Sequence, residues 1–257
     1  MTAMETRTMY GFPLSTILFR VIGLLFLCLC IILLFLLFSL YIGLASSILL
    51  IIYVYVGIIR YKLRFLRLRE RILQHMIDQA QISGDEIILD LGTGAGYIAI
   101  GFAKKLRSGH VYGIDKYHLA TDGPFSQISD EMKINFFGNT YANAKHNAEL
   151  EHQQDKVTFL QSDLVKTIPF TQHTFDVIVS SQFLYCIAES ERAGVLDEID
   201  RILKPSGRAV FFESTHFFGW DIHKVMAFFQ QKKYKTTLVP VSEMSNKCYL
   251  IIEKPPL

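Results

Sequence analysis

Cysteine is scarce in this chain, and the four that occur do not cluster. Cys28 and Cys30 lie inside an apolar stretch, Cys186 and Cys248 stand far apart, and no Cys-x-x-Cys pair or Cys/His group is present. That excludes a disulfide framework and a zinc site of ordinary spacing, so no metal is expected. Asn-x-Ser/Thr acceptor sites are also missing, and the two absences together fit a reducing compartment. Internal repeats and low-complexity tracts are absent too, which leaves no case for a solenoid or fibrous architecture. Charge is thin: 19% of the 257 residues are charged against 51% hydrophobic, with a mean hydropathy of +0.28. Such a chain is too apolar to remain disordered and more apolar than a domain that meets only water.

The thinnest charge lies at the N-terminal end, where residues 1–59 hold only Glu5, Arg7 and Arg20. Between Val21 and Ile59 there is no Asp, Glu, Lys, Arg or His. As one helix this run would reach about 58 Å at 1.5 Å per residue, far beyond a bilayer core of about 30 Å. Small and interfacial residues gather from Ser39 to Ser47, so the run reads as a hairpin with spans at about 14–37 and 41–59. A cleaved signal peptide would carry one short apolar core followed by soluble chain, whereas here a second apolar segment follows.

Six basic residues and one acid then occupy Arg60 to Arg71, a run of the kind retained on the cytoplasmic side of a membrane. The expectation is an integral membrane protein with both ends and its catalytic domain in the cytoplasm. Phe65, Leu68, Ile72, Met76 and Ala80 recur at helical spacing. They predict a basic amphipathic juxtamembrane helix over 60–82, resting on anionic headgroups, packing against the next domain, or both. Residues 72–257 carry 18 basic against 22 acidic side chains, so the pI of 8.3 reflects the basic run and gives no reason to expect a nucleic-acid partner.

From residue 83 onward the pattern is α/β. Ile87–Leu91, Val111–Ile114, Val157–Leu160, Phe175–Val179 and Ala209–Phe212 read as buried strands of a mostly parallel sheet. Leu196, Ile199 and Leu203 form a helical stripe that ends at Lys204-Pro-Ser-Gly207, and a further helix over Ile222–Phe229 precedes a last strand at Cys248–Glu253. This is the rhythm of a doubly wound fold, in which ligands bind beyond the carboxyl ends of the strands. The polar residues at those ends are Asp90, Asp115, Ser162 with Asp163, Ser180 to Gln182, and Glu213 to His216.

The strongest motif is Asp90-Leu-Gly92-Thr-Gly94-Ala-Gly96-Tyr97, a glycine turn between a strand and a helix. A dinucleotide fingerprint would require glycine at position 97. With Gly113-Ile-Asp115, Gln161-Ser-Asp163, Ile168-Pro-Phe170, Phe175 to Ser181 and Ile202 to Gly207, it makes an ordered series. Over roughly residues 86–214 that series resembles the class I S-adenosylmethionine-dependent methyltransferases. The resemblance implies a Rossmann-like fold with a doubly wound, mostly parallel seven-stranded sheet, and S-adenosyl-L-methionine as cofactor. It places Gly92, Gly94 and Gly96 beside the methionine part, Asp90 shaping the loop, Asp115 at the ribose hydroxyls and Asp163 near the adenine, with Leu164 and Ser180 also bordering the cofactor. In this sequence Leu164 stands where the family often has alanine, and Ser206 replaces the first glycine of its Pro-Gly-Gly turn. The interval from Lys116 to Asn147, with Thr121-Asp-Gly-Pro124 and Phe136-Phe-Gly-Asn139, exceeds a simple link. Similar insertions in membrane-associated bacterial relatives carry comparable pairs, here Gly138-Asn139 and Asn147-Ala148, and the interval reads either as a lid over the acceptor or as an ordinary surface excursion.

Methyl transfer from a sulfonium needs chiefly in-line approach and exclusion of water. Where the acceptor must lose a proton, His216, Glu213 and Tyr185 are the candidate catalytic residues by their places after strands. Phe136-Phe137, Phe183 to Tyr185 and Phe217 to Trp220 offer aromatic walls for a hydrophobic or lipid-like small molecule. Two rival functions remain open: a membrane-tethered scaffold that binds the cofactor without turnover, and a nicotinamide-dependent oxidoreductase, which Tyr97 disfavours.

Overall fold

In the computed structural model of the protein, residues 14–38, 40–117, 138–217, 220–242 and 244–256 are described. The chain divides after Arg71 into two compact units. The first is built from helix α1 (Leu14–Phe38) and most of helix α2 (Leu40–Ala80). Its apolar side chains face outward: Phe19 is 82% exposed and Leu49 67%. Within Leu44–Ala80 the most apolar stretch has a mean hydropathy of 1.9 and none of it is buried. Length and composition therefore allow this helix to cross a bilayer.

The basic stretch from Arg60 is helical as far as Ala80 and runs on from the second apolar segment, because neither glycine nor proline occurs between Ile58 and Ala80 to end the helix. The small residues expected to mark the break also sit inside α2, where the Ser46 hydroxyl donates to the Ile42 carbonyl at 2.7 Å and stays satisfied. Ser39 itself lies outside the described residues. The last turns of α2 belong to the second unit, where Ile72, Leu73, Met76, Ile77 and Ala80 are buried. The Arg208 guanidinium donates to the Gln79 carbonyl at 2.9 Å and ties that helix end to the sheet.

The second unit is a seven-stranded sheet flanked by helices. Its strands are β1 (Ile87–Leu91), β2 (His110–Asp115), β3 (Val157–Gln161), β4 (Phe175–Ser181), β5 (Leu203–Ser214), β8 (Lys235–Pro240) and β9 (Lys247–Glu253). A two-stranded ribbon, β6 (His216–Phe217) and β7 (Trp220–Asp221), lies apart. The order is β3-β2-β1-β4-β5-β9-β8, with β9 antiparallel to both neighbours and the others parallel. Helices α3 (Tyr97–Ala103), α4 (Tyr141–Leu150), α5 (Glu189–Ile202) and α6 (Ile222–Gln231) complete the layers. The alternation of β-branched strands with amphipathic helices produces this Rossmann-like arrangement, and the order of strands reverses at β1 and β4.

Two details differ from the sequence reading. Leu203 is the first residue of β5 rather than the last of the preceding helix. It is fully buried either way, which is why periodicity placed it on the helical stripe. The pairing of β4 with β5 then jumps from Phe175↔Leu203 to Val177↔Arg208, so Lys204–Gly207 bulge outward. Strand β8, in turn, has no fully buried position and is exposed at Lys235, Thr237 and Pro240, so its sequence announces no strand.

Candidate functional site

At the carboxyl end of β1 the chain turns through three glycines with φ of 70°, 52° and 83° at Gly92, Gly94 and Gly96. A side chain is excluded at two of them by space as well: a Cβ on Gly92 would lie 2.3 Å from the Phe183 ring, and one on Gly96 2.6 Å from Phe159. The loop is pinned from β2. The amides of Gly92 and Thr93 donate to the Ile114 carbonyl at 2.9 and 3.1 Å. The Gly94 amide donates to Asp115 Oδ2 and the Tyr117 amide to Asp115 Oδ1, both at 2.9 Å. Asn147 on α4 is wholly buried and donates to the Ala95 carbonyl at 2.9 Å.

Asp90 lies beneath this loop, 1% exposed. Its Oδ2 accepts the Thr93 hydroxyl at 2.7 Å and the Ala99 amide at 3.2 Å. Burial pushes its carboxyl up to about 7, although those two bonds oppose the shift. Ser180, at the end of β4, is buried and donates to the Leu91 carbonyl at 3.2 Å, fastening the two strands at the point where the order reverses.

Asp163 follows β3 with its side chain a quarter exposed and 3.2 Å from the Lys116 ammonium. Partial burial raises its carboxyl, but the Val165 amide and Lys116 outweigh this and leave it below the ordinary value. Leu164 turns its side chain into the core. The structure thus gathers the glycine loop, Asp115 and Asp163 along one edge of adjacent strands, with Asp90 and Ser180 supporting the loop and Leu164 packing below.

The three candidate proton acceptors are not equivalent. Glu213, at the end of β5, is fully buried. Its Oε1 accepts the amides of Phe183 and Leu184 at 2.9 and 2.8 Å, while Oε2 has no partner among the described residues. Burial pushes this carboxyl up to about 7, against the pull of those amides and of Lys247. Tyr185 sits in the same neighbourhood with Lys247 Nζ 5.6 Å from its ring centroid. Burial, then Cys186 and Glu213, raise its phenol further above its usual range. Lys247 also donates to Gln182 and, at 2.7 Å, to Ser214 Oγ.

His216 stands apart, its side chain 67% exposed on the ribbon and 3.7 Å from Asp221. With His223 these residues bring one potential ligand atom each within 4.8 Å of one another, the two histidines exposed and Asp221 half-buried. Asp221 already accepts the His223 amide at 2.9 Å as the cap of α6.

Thr93, Tyr117, Asn147 and Lys247 are the site residues that sequence reasoning missed in these roles. Tyr117 Oη is buried without a partner among the described residues. The Tyr117 ring meets Tyr141 edge-on, with centroids 5.6 Å apart, so the two ends of the long β2–α4 interval come together. Of that interval Thr121–Pro124 and Phe136-Phe137 lie outside the described residues, as does Phe218 of the other aromatic wall.

A family model described as a methyltransferase domain matches residues 89–211. The protein named probable methyltransferase ltbC of Aspergillus luteorubrus is 25% identical over 127 residues, 49% of this chain and 39% of that one. This chain therefore spans well under half the length of that relative. Among solved structures, the [4+2]-cyclase SpnF superposes with a TM-score of 0.56 at 16% identity, covering 73% of this chain and 82% of the other. The YcgJ protein of Bacillus subtilis does so with a TM-score of 0.53 at 15% identity, covering 72% and 98%. The likeness to these structures establishes the fold. A fold shared with a protein named as a cyclase does not by itself specify methyl transfer.

Proposed function

We propose that this chain, whose α/β unit is a class I S-adenosylmethionine-dependent methyltransferase domain, methylates an apolar, membrane-resident small molecule from the cytoplasmic face of a membrane into which α1 and α2 insert. The observation that carries the reading is the uncovered apolar surface of the two N-terminal helices, followed within α2 by the basic residues from Arg60 to Arg71. A tether confines the enzyme to the surface where a bilayer-dissolved acceptor is concentrated, and gives no such gain for a freely diffusing one.

S-adenosylmethionine is the methyl donor, and it supplies an already activated sulfonium methyl. The residues present suit it. Each Asp115 oxygen accepts one amide and keeps a lone pair for a hydroxyl of the ribose diol. Asp163 borders the adenine, and the glycine loop, with φ of 70°, 52° and 83°, brings bare backbone to the methionine part. Asp90, Ser180 and Asn147 hold the loop in shape. Phe183 and Tyr185 bound the acceptor side, whereas Trp220 is buried in the core with its indole N–H on the Ser214 carbonyl at 2.6 Å; Glu213 takes the acceptor's proton where one must leave, its carboxyl raised to about 7 by burial. His216 lies too exposed to share a water-excluded centre.

Incubation of membranes holding the protein with methyl-labelled cofactor tests the reading. Label is expected in the organic-solvent extract; label confined to protein or to the aqueous fraction overturns it. Formation of S-adenosylhomocysteine in the same assay separates turnover from a binding scaffold.

A further inference from the structure

The N-terminal unit holds a groove of about 920 Å³ between α1 and α2, within the range of small-molecule sites, about 300–1,000 Å³. Its two ends differ chemically. Arg20 from α1 and Arg60 and Arg64 from α2 line one end, and the Arg20 guanidinium stacks 4.7 Å from the centroid of the Tyr61 ring. Toward the turn between the helices the walls are apolar, with Leu27 and Leu49. Gly23 and Gly57 lie along the lining, and a Cβ on either would meet nothing within 4 Å, so a side chain has room at both positions.

The level of the arginines fits a membrane interface. Arg20 precedes the end of α1, and Arg60 follows the start of α2, by roughly 27 and 30 Å of helix at 1.5 Å per residue, matching a hydrocarbon core of about 30 Å. A cationic end at the headgroup level above an apolar slot is complementary to an anionic amphiphile.

We propose that this groove binds an anionic phospholipid, with its phosphate against Arg20, Arg60 and Arg64 and an acyl chain along the Leu27–Leu49 wall. The inference rests on insertion of the two helices into a membrane, as argued above. A second copy of the chain suits the groove less well, because a twofold pairing sets the same patch against itself and would bring three guanidinium groups onto three more.

The test uses the full-length protein in vesicles of phosphatidylcholine with a minority of phosphatidylglycerol, followed by native mass spectrometry of the lipid it retains. Phosphatidylglycerol is expected to be retained over phosphatidylcholine by about tenfold, in keeping with several cations acting near an anionic headgroup. The triple variant Arg20→Gln, Arg60→Gln, Arg64→Gln should lose the preference. The variant Arg67→Gln, Arg69→Gln, Arg71→Gln, with the same charge removed outside the groove, should keep it. Gly57→Leu, which fills the groove without altering charge, should reduce retention while the protein still binds S-adenosylmethionine. Equal retention of both lipids, equal loss in the two triple variants, displacement of the lipid by inorganic phosphate, or cross-linking of a second copy through the groove would each overturn the proposal. Extraction of the protein from membranes by alkaline carbonate would overturn the membrane reading and this inference together. Firm insertion without lipid preference would overturn this inference alone.

Discussion

At the scale of single residues, Asp115 makes two amide bonds and has capacity for two more. Asp115→Ala removes the proposed ribose contact and frees the Gly94 amide that shapes the loop. Its affinity for S-adenosylmethionine is expected to fall by about 1.5–3 kcal/mol, the range for hydrogen bonds to a charged group, as read by calorimetry. Unchanged affinity would remove Asp115 from the site. Glu213 makes a different prediction, because its carboxyl is raised from 4.5 to about 7 in the folded protein. Between those values the folded state binds more protons at Glu213 than the unfolded one, so the contribution of this group to stability is full below about pH 4.5 and is lost as pH rises toward 7. Glu213→Gln keeps an acceptor for the Phe183 and Leu184 amides and cannot ionise. Melting temperatures from pH 5 to 8 should fall less steeply in the variant than in the parent, the slope of the same sign from Asp90 being common to both. The two groups were unequally legible. Asp115 follows a buried strand beside a glycine motif, and both signals are local. Glu213 owes its burial and its partners to Phe183 and Leu184, thirty and twenty-nine residues away, which no local pattern encodes.

At the scale of elements, the start of β5 holds a residue in a conformation that suits glycine. Ser206 has φ of 62° in the bulge that follows Leu203, at the position where the family resemblance led one to expect glycine. Ser206 is exposed, so Ser206→Gly is expected to relieve the left-handed strain with little loss of contact. Urea unfolding should show a gain of about 0.5–1 kcal/mol; a loss would mean that the hydroxyl contributes more than the backbone strain costs. Six of the seven sheet strands and helix α6 were readable because their buried faces are continuous or periodic, as in Ile87–Leu91 and Phe175–Val179. Strand β8 was not, since its place at the sheet edge leaves alternate positions exposed and polar. The end of α5 was misread because a buried leucine satisfies a helical stripe and a strand equally. The run of α2 through the basic segment hinged on the absence of a breaker, a weaker cue than the change from apolar to charged composition.

At the scale of the whole molecule, the proposed topology places both chain ends and the α/β unit in the cytoplasm. Protease added outside intact cells should leave that unit uncut, while the same protease digests it after the membrane is opened; cleavage in intact cells would reverse the orientation. The meeting of Tyr117 and Tyr141 carries a consequence of another kind. Because the two ends of the β2–α4 interval already touch, the chain between them closes a loop whose entropy changes by only about 0.6 kcal/mol for each doubling of its length. Changes in the number of residues between Tyr117 and Tyr141 are therefore expected to cost the fold little. A scaffold joined in this way can change the length of that interval while its sheet stays the same.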